Sequence, residues 1–346
     1  MSQRVPRAAV IMPAYNAEKT IERTVRSILG QTMGDLVLIV VNDGSRDQTA
    51  EILHRLQEED PRVKPITVEN GGPARARNIA LEAVPEGTKF LMFSDADDLL
   101  SPDALEYAIE NAGDADLVLM GFSILNPDGS EARYFEPAAC YTPETLGSAL
   151  GRLYKANLLN QVWGKLYRAD LVLGNALRCP DYRWGEDRLF IYDCLERAKT
   201  VAVLPACKYQ YIMYPGESLI TRYYDKKLDI CVESDRRMEA LCKRFGVTEE
   251  RDFRYMFMKS VFSCLTTLFS PKCTLTRIQK RVEIRRIITN ERVQARSRAV
   301  FGGSAVKLLC AVLRTKNVTL NYVVFYLVAR AGIIAPRLFT MIKHRK

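Results

Sequence analysis

Between residues 8 and 123 the sequence alternates short, continuously apolar runs with amphipathic stretches, and this rhythm admits few folds. Ala8-Ala9-Val10-Ile11-Met12 reads as a strand, and residues 17–29 carry Ile21, Val25, Ile28 and Leu29 at helical spacing. Further strands are expected at 36–41, 63–68, 90–93 and 117–122, with helices near 49–58, 74–83 and 103–111 between them. Strands without polar alternation must be covered on both faces, and strands separated by helices join in parallel. The expected class is therefore α/β, a mostly parallel sheet with helices on both sides.

The unusual residues fall where such a sheet would bind something. Pro13-Ala14-Tyr15-Asn16, Asn42-Asp43-Gly44-Ser45, Asn70-Gly71-Gly72-Pro73 and Asp95-Ala96-Asp97-Asp98 each follow the C-terminal end of an expected strand. In open α/β sheets that edge holds the ligand. No G-x-G-x-x-G follows the first strand and no Walker A sequence is present, so neither fingerprint applies. Phe93-Ser94-Asp95-Ala96-Asp97-Asp98 is the most demanding of these loops. Three carboxylates in four residues repel one another and resist desolvation, so a hard cation such as Mg²⁺ or Mn²⁺ would relieve them. The competing reading is an acidic surface turn before a helix that starts near Leu99-Leu100-Ser101-Pro102, with Asp103 favoured by the helix dipole.

The rhythm stops after the turn Asn126-Pro127-Asp128-Gly129. Residues 142–159 look helical, and two compact motifs follow, Gln161-Val162-Trp163-Gly164-Lys165 and Trp184-Gly185-Glu186-Asp187. Residues 201–204 and 208–213 read as strands added to the sheet edge, and from about 225 the pattern is helical. The division expected is an α/β domain over 1–225 and a helical region over 226–346.

Composition narrows the chemistry. With only His54 and His344, histidine-based catalysis and His-rich metal sites are nearly excluded. Nine cysteines without a C-x-x-C pair argue against zinc and suit a reducing compartment. Residues 1–7 lead straight into a strand without a secretory signal pattern. The net charge of +9 is uneven: residues 271–346 hold 17 Lys and Arg against two acids, +15, which leaves −6 for the rest. An acidic head with a basic tail suits an anionic surface better than nucleic acid.

The motifs in order, Val10-Ile11-Met12-Pro13-Ala14-Tyr15-Asn16, Val41-Asn42-Asp43-Gly44-Ser45, Asn70-Gly71-Gly72 to Ala76-Arg77-Asn78, Asp95-Ala96-Asp97 and Gly185-Glu186-Asp187, resemble glycosyltransferase family 2 over roughly the first 220 residues. These are GT-A fold enzymes that use nucleotide-activated sugars. The likeness is to bacterial enzymes that build capsular, exopolysaccharide or wall polymers.

The resemblance implies a nucleotide-sugar site formed by Pro13, Tyr15, Asn16, Asp43, Gly44, Arg77, Asp95 and Ala96. It places the base between Tyr15, Asp43 and Arg77, the ribose at Asp95, and a Mn²⁺ or Mg²⁺ ion on Asp97 with Asp95. A carboxylate acceptor such as Asp43 suits a uracil imide N–H. Arg77 could bond the base or lie against it; otherwise it is a solvated helical arginine. An inverting transfer also needs a base for the acceptor hydroxyl. The resemblance gives that role to Asp187, with Glu186 beside it. Adjacent helical side chains point apart, so one of the pair is expected to face the acceptor. The alternative is a helix N-terminus carrying favourable acids. Trp163, Lys165 and Trp184 are expected on the acceptor side, unless the tryptophans are core.

The tail holds apolar stretches at 305–313 and 317–335, and its longest uncharged run is 13 residues, short of the roughly 20 that cross a bilayer. It reads as in-plane amphipathic helices flanked by Arg337, Lys343, Arg345 and Lys346, or as a helical domain packed on the head. The expectation is a metal-dependent, inverting transferase that moves a sugar from a UDP-sugar to a glycan, polymer or lipid-linked acceptor. It would work in the cytoplasm, peripheral on the inner face of the cell membrane, without nucleic acid. A nucleotidyltransferase of related fold and a non-catalytic, basic-tailed binding protein are the alternatives.

Overall fold

Apolar runs that need cover on both faces determine how the first half of the chain is assembled. The computed structural model describes residues 5–182, 184–214, 223–298 and 303–334. Four strands lie parallel in the order β3 (Val63–Val68), β2 (Leu36–Asp43), β1 (Ala8–Ala14), β4 (Phe90–Phe93). Every residue of β2 is buried, and only Pro13 in β1 is not. β3 is buried only at Val63 and carries Pro65, both fitting an edge strand. Helices α1 (Ile21–Leu29), α2 (Thr49–Glu59) and α3 (Pro73–Glu82) connect these strands.

Beyond β4 the sheet is mixed. β9 (Lys165–Arg168) runs antiparallel between β4 and β6 (Leu117–Leu125), and β10 (Val201–Ile212) lies parallel on β6. The short strands β5 (Leu99–Leu100), β7 (Glu131–Tyr134) and β8 (Ala139–Tyr141) pair antiparallel at this side. Three expectations change here. The helix start read near Leu99-Leu100-Ser101-Pro102 is instead a short strand, because Leu99 and Leu100 pair with β10, and α4 (Ala104–Asn111) lies where a helix was expected near 103–111. The two strands expected at 201–204 and 208–213 are one strand whose register shifts between Leu204 and Cys207, and the irregularity accommodates Pro205, which has no N–H to donate. The strand β9 was not expected, since a lysine interrupts its apolar pattern.

α5 (Pro143–Lys155), α6 (Ala169–Val172) and α7 (Glu186–Arg197) complete this part. Phe93 of β4 meets Tyr167 of β9 edge-on at 5.3 Å and Phe190 of α7 at 5.4 Å. Those contacts tie the end of β4, and with it Asp95, to the first turns of α7.

The chain divides into two units, Met1–Pro215 with Lys243–Gly246, and Gly216–Cys242 with Val247–Lys346. The second holds most of α8 (Lys227–Arg244) with α9 (Arg251–Thr267), α10 (Arg277–Thr289), α11 (Glu291–Arg298), α12 (Ser304–Arg314) and α13 (Val318–Ile334). α13 is a packed helix: Phe325 is buried against Phe262 at 5.9 Å, and Tyr322 meets Phe269 at 5.0 Å. Asp235 of α8 pairs with Arg292 and Arg296 of α11, and Arg296 also reaches Glu250 at 2.7 Å. Among the described residues no helix is long and apolar enough to cross a membrane. Arg337, Lys343, Arg345 and Lys346 lie outside the described residues.

Candidate active site

The loops after β1, β2 and β3 are fastened to one another by short polar side chains. Asn16 Oδ1 accepts the Arg46 N–H at 2.9 Å, and the Asn16 N–H donates to the Ser45 hydroxyl at 2.9 Å. Asp43 is buried; its Oδ1 accepts the Gly71 N–H at 2.7 Å, and its Oδ2 accepts the Gly72 N–H at 2.8 Å and the Asn70 amide at 3.2 Å. Gly44 has φ +69°, and a Cβ there would lie 2.7 Å from the Asn70 backbone nitrogen, so glycine alone permits this approach. Pro13, next to last in β1, lies opposite Val41, and Tyr15, on the loop that follows, is 50% exposed.

The loop after β4 is held by backbone acceptors. The Ala96 carbonyl accepts from the Thr24 hydroxyl at 3.1 Å, and the Asp97 carbonyl accepts from Arg23 at 2.8 Å, both from α1. Asp98 turns away: its Oδ2 accepts from the Tyr209 hydroxyl at 2.6 Å and its Oδ1 from the Ile212 N–H at 3.0 Å. Burial, with Asp95 and Asp97 as like-charged neighbours, pushes its carboxyl well above the usual range. Asp95 and Asp97 are the two partly exposed carboxylates of the loop.

Arg77 of α3 joins this loop to α7. Its Nη2 donates to Asp95 Oδ1 at 2.8 Å, and its Nη1 donates to Glu186 Oε1 at 3.0 Å and Asp187 Oδ1 at 2.7 Å. Its residue exposure is 3%, and its Nε is buried without a partner. The side chain is thus not solvated, and both ends of its fork, expected at a nucleotide base, are occupied by carboxylates. Glu186 and Asp187 were expected to diverge, yet both reach one nitrogen. Gly185, at φ +80°, sets them in the first turn of α7, where the helix dipole favours acids. Asp187 is the more open of the two, 19% against 9% for the side chains.

Lys165 of β9 places a second basic nitrogen inside this part of the protein. It is 1% exposed, and its Nζ donates to the Trp163 carbonyl at 3.2 Å. Burial pushes Lys165 down to about 7, against the attraction of Asp187. Burial likewise pushes Asp187 up to about 7, against Arg77 and the Val162 N–H, which favour its charge. Next to Arg77, Asn78 clasps the Cys179 backbone: its amide donates to the carbonyl at 2.8 Å, and its Oδ1 accepts the N–H at 2.8 Å. This ties α3 to the segment leading into α7.

The residues expected on the acceptor side differ in kind. Trp163 is core, stacked on Tyr209 at 4.5 Å and Tyr211 at 5.7 Å, and Lys165 is internal rather than open to a phosphate. Trp184 is partly exposed, with the Arg188 guanidinium 5.9 Å from its ring. Sequence reasoning did not single out Tyr209, whose hydroxyl also accepts the Asp95 N–H at 3.1 Å. Its only sequence signal was a place in an expected strand.

A mixed sheet of this order, with carboxylates gathered at its C-terminal strand ends, defines a GT-A protein. The S. aureus TarS fragment 1–349 solved with UDP-GlcNAc shares the fold at a TM-score of 0.67, with 24% identity, covering 94% of this chain and 92% of that one. A model described as Glycosyl transferase family 2 matches residues 9–166. EpsJ, an uncharacterized glycosyltransferase of Bacillus subtilis, is 30% identical over 217 residues, 61% of this chain and 62% of EpsJ. The chain thus spans a little under two thirds of that relative. TuaG of the same organism, assigned to teichuronic acid biosynthesis, is 30% identical over 215 residues, 61% of this chain and 81% of TuaG. The chain belongs to glycosyltransferase family 2.

Proposed function

We propose that the chain is a metal-dependent, inverting glycosyltransferase that takes its sugar from a UDP-sugar. The observation that carries this reading is Arg77, which brings Asp95 and the Glu186–Asp187 pair to a single guanidinium; we assign Asp95 to the donor and the pair to the acceptor. Gathering three carboxylates on one buried guanidinium is costly, and such sites concentrate where chemistry is done, which favours an enzyme over a binding protein.

With Arg77 engaged, contacts to the nucleotide base fall to Tyr15 and Asp43. The Asp43 carboxylate already takes three donors and keeps roughly one lone-pair position for an imide N–H. The UDP-GlcNAc held by TarS, a protein of the same fold, supports a uridine diphosphate donor. Asp95 and Asp97 suit Mg²⁺ or Mn²⁺, which binds through one or two carboxylates and completes its shell with phosphate and water. Among the described residues no three acidic, His or Cys side chains are arranged to cage an ion, because Asp98 is committed to Tyr209 and Ile212. A bound ion would neutralise charge on the departing diphosphate.

Asp187 takes the acceptor hydroxyl's proton as the anomeric carbon becomes electron-poor. A base poised near 7 is charged enough to act and basic enough to hold the proton. Glu186 shares Arg77 and holds the pair in place. The assignment of TuaG to teichuronic acid biosynthesis supports a surface polymer, as glycan or lipid-linked chain, for the acceptor. The test is release of UDP from a panel of UDP-sugars with and without Mn²⁺, beside calorimetry of UDP. Metal-dependent binding and release are expected. A protein that ignores UDP under both conditions, or that frees diphosphate from a nucleoside triphosphate, would overturn the reading.

A further inference from the structure

The helical unit presents large aliphatic side chains on a basic surface. On α10, Ile278 and Val282 stand one turn apart and are 76% and 65% exposed, while Ile284, Ile287 and Ile288 of the same helix are buried. α10 also holds five Lys and Arg against the single acid Glu283. On α13, Leu320, Val323 and Leu327 are exposed, and Asn321 and Phe325 are buried on the other side. The two helices lie side by side: Arg281 donates to the Thr319 hydroxyl at 2.8 Å, and the Arg277 guanidinium is 5.9 Å from the Tyr322 ring.

Single exposed aliphatic residues need no explanation, but five on two adjoining helices among Arg277, Arg285 and Arg330 do. We propose that this α10–α13 face seats in the headgroup region of an anionic lipid bilayer. Aliphatic side chains gain from hydrocarbon while the guanidinium groups beside them gain from phosphate, and a lipid surface offers both in one plane. A second copy of the chain would bring the same positive face against itself. The helices lie on the surface rather than through it, since none is long and apolar enough to span.

The face overlaps only in part with the stretches read in the sequence: Leu320, Val323 and Leu327 lie within 317–335, whereas Ile278 and Val282 lie outside both stretches. Cys310, Leu313 and Phe325, inside the two apolar stretches of the tail, are buried, and the two most exposed aliphatic side chains of the face belong to α10, outside those stretches. The seat does not depend on the transfer chemistry, though it would hold an enzyme beside a lipid-linked acceptor.

The test is co-sedimentation of the full chain with phosphatidylglycerol and phosphatidylcholine vesicles at low and high salt, with UDP calorimetry on the same samples. Binding to phosphatidylglycerol that weakens with salt is expected, with little binding to phosphatidylcholine. The double variant Ile278→Ser with Val282→Ser should lose about tenfold or more in vesicle affinity, the scale of two aliphatic side chains leaving hydrocarbon. Its melting temperature and UDP binding should not change, because both positions are already in water. Three results would overturn the proposal: a full chain that ignores phosphatidylglycerol, a folded double variant that binds as well as the parent, or a dimer in ultracentrifugation that the variant abolishes. Loss of UDP binding with vesicle binding intact would count against the transferase reading alone.

Discussion

Adjacent aspartates in the loop after β4 have opposite consequences when removed. Asp97→Ala should abolish metal-dependent UDP affinity without lowering the melting temperature, because it relieves repulsion on buried Asp98. Calorimetry with Mn²⁺ reads the first effect, and unchanged affinity would take Asp97 out of the ion's shell. Asp98→Ala should instead destabilise by about 2–4 kcal/mol, because the Tyr209 hydroxyl and the Ile212 N–H lose their acceptor inside the protein. Denaturant unfolding measures that cost. Asp187→Asn keeps the shape of the site and should bind donor normally while turnover falls by roughly 10² or more. The pH profile has a defined sign. An acid whose value in the free protein is raised to about 7 keeps its proton below that pH, so kcat/KM should rise toward a plateau above it. A flat profile across that range would remove Asp187 from the base role.

At the scale of elements, the acid pair is only as well placed as α3 holds it. Arg77 and Asn78 are consecutive, yet one reaches carboxylates from two other elements and the other fastens the backbone at Cys179. Asn78→Ala cuts both bonds to that segment. Misplacement of a catalytic group by about 1 Å costs up to about a hundredfold in rate. The expected result is a fall in kcat of that size with little change in donor KM. An equal loss in both would mean that Asn78 only supports the fold.

Across the whole molecule, the basic C-terminal helices cannot be treated as a removable tail. A cut after Ser270 strips α10 to α13 from α9 and uncovers Phe262 and Phe269, which pack on Phe325, Tyr322 and Tyr326. Leaving a Phe side chain exposed rather than buried costs about 1.5–3 kcal/mol, so the shortened chain should melt earlier and bind a hydrophobic dye. A truncation as stable as the full chain would show that α8 and α9 hold together without their partners.

The class of fold was legible in the sequence because continuous apolar runs alternating with helical spacing can be covered in few ways. The carboxylate loop and the Asp43–Gly44 turn were legible too, since residues of special chemistry sat at strand ends; the Glu186–Asp187 pair, in the first turn of α7, was picked out only through the family resemblance. Partners across long separations were not. Local spacing carries no information on which side chain will meet another 110 residues away, as Arg77 and Asp187 do. Nor does it show that Lys165 is buried in an antiparallel strand inserted between β4 and β6. Charge and apolar content located a basic, surface-seeking region, but only helix packing decided that Phe325 faces inward and Ile278 outward. Periodicity records what a residue prefers; tertiary packing decides which of several equally apolar faces is covered.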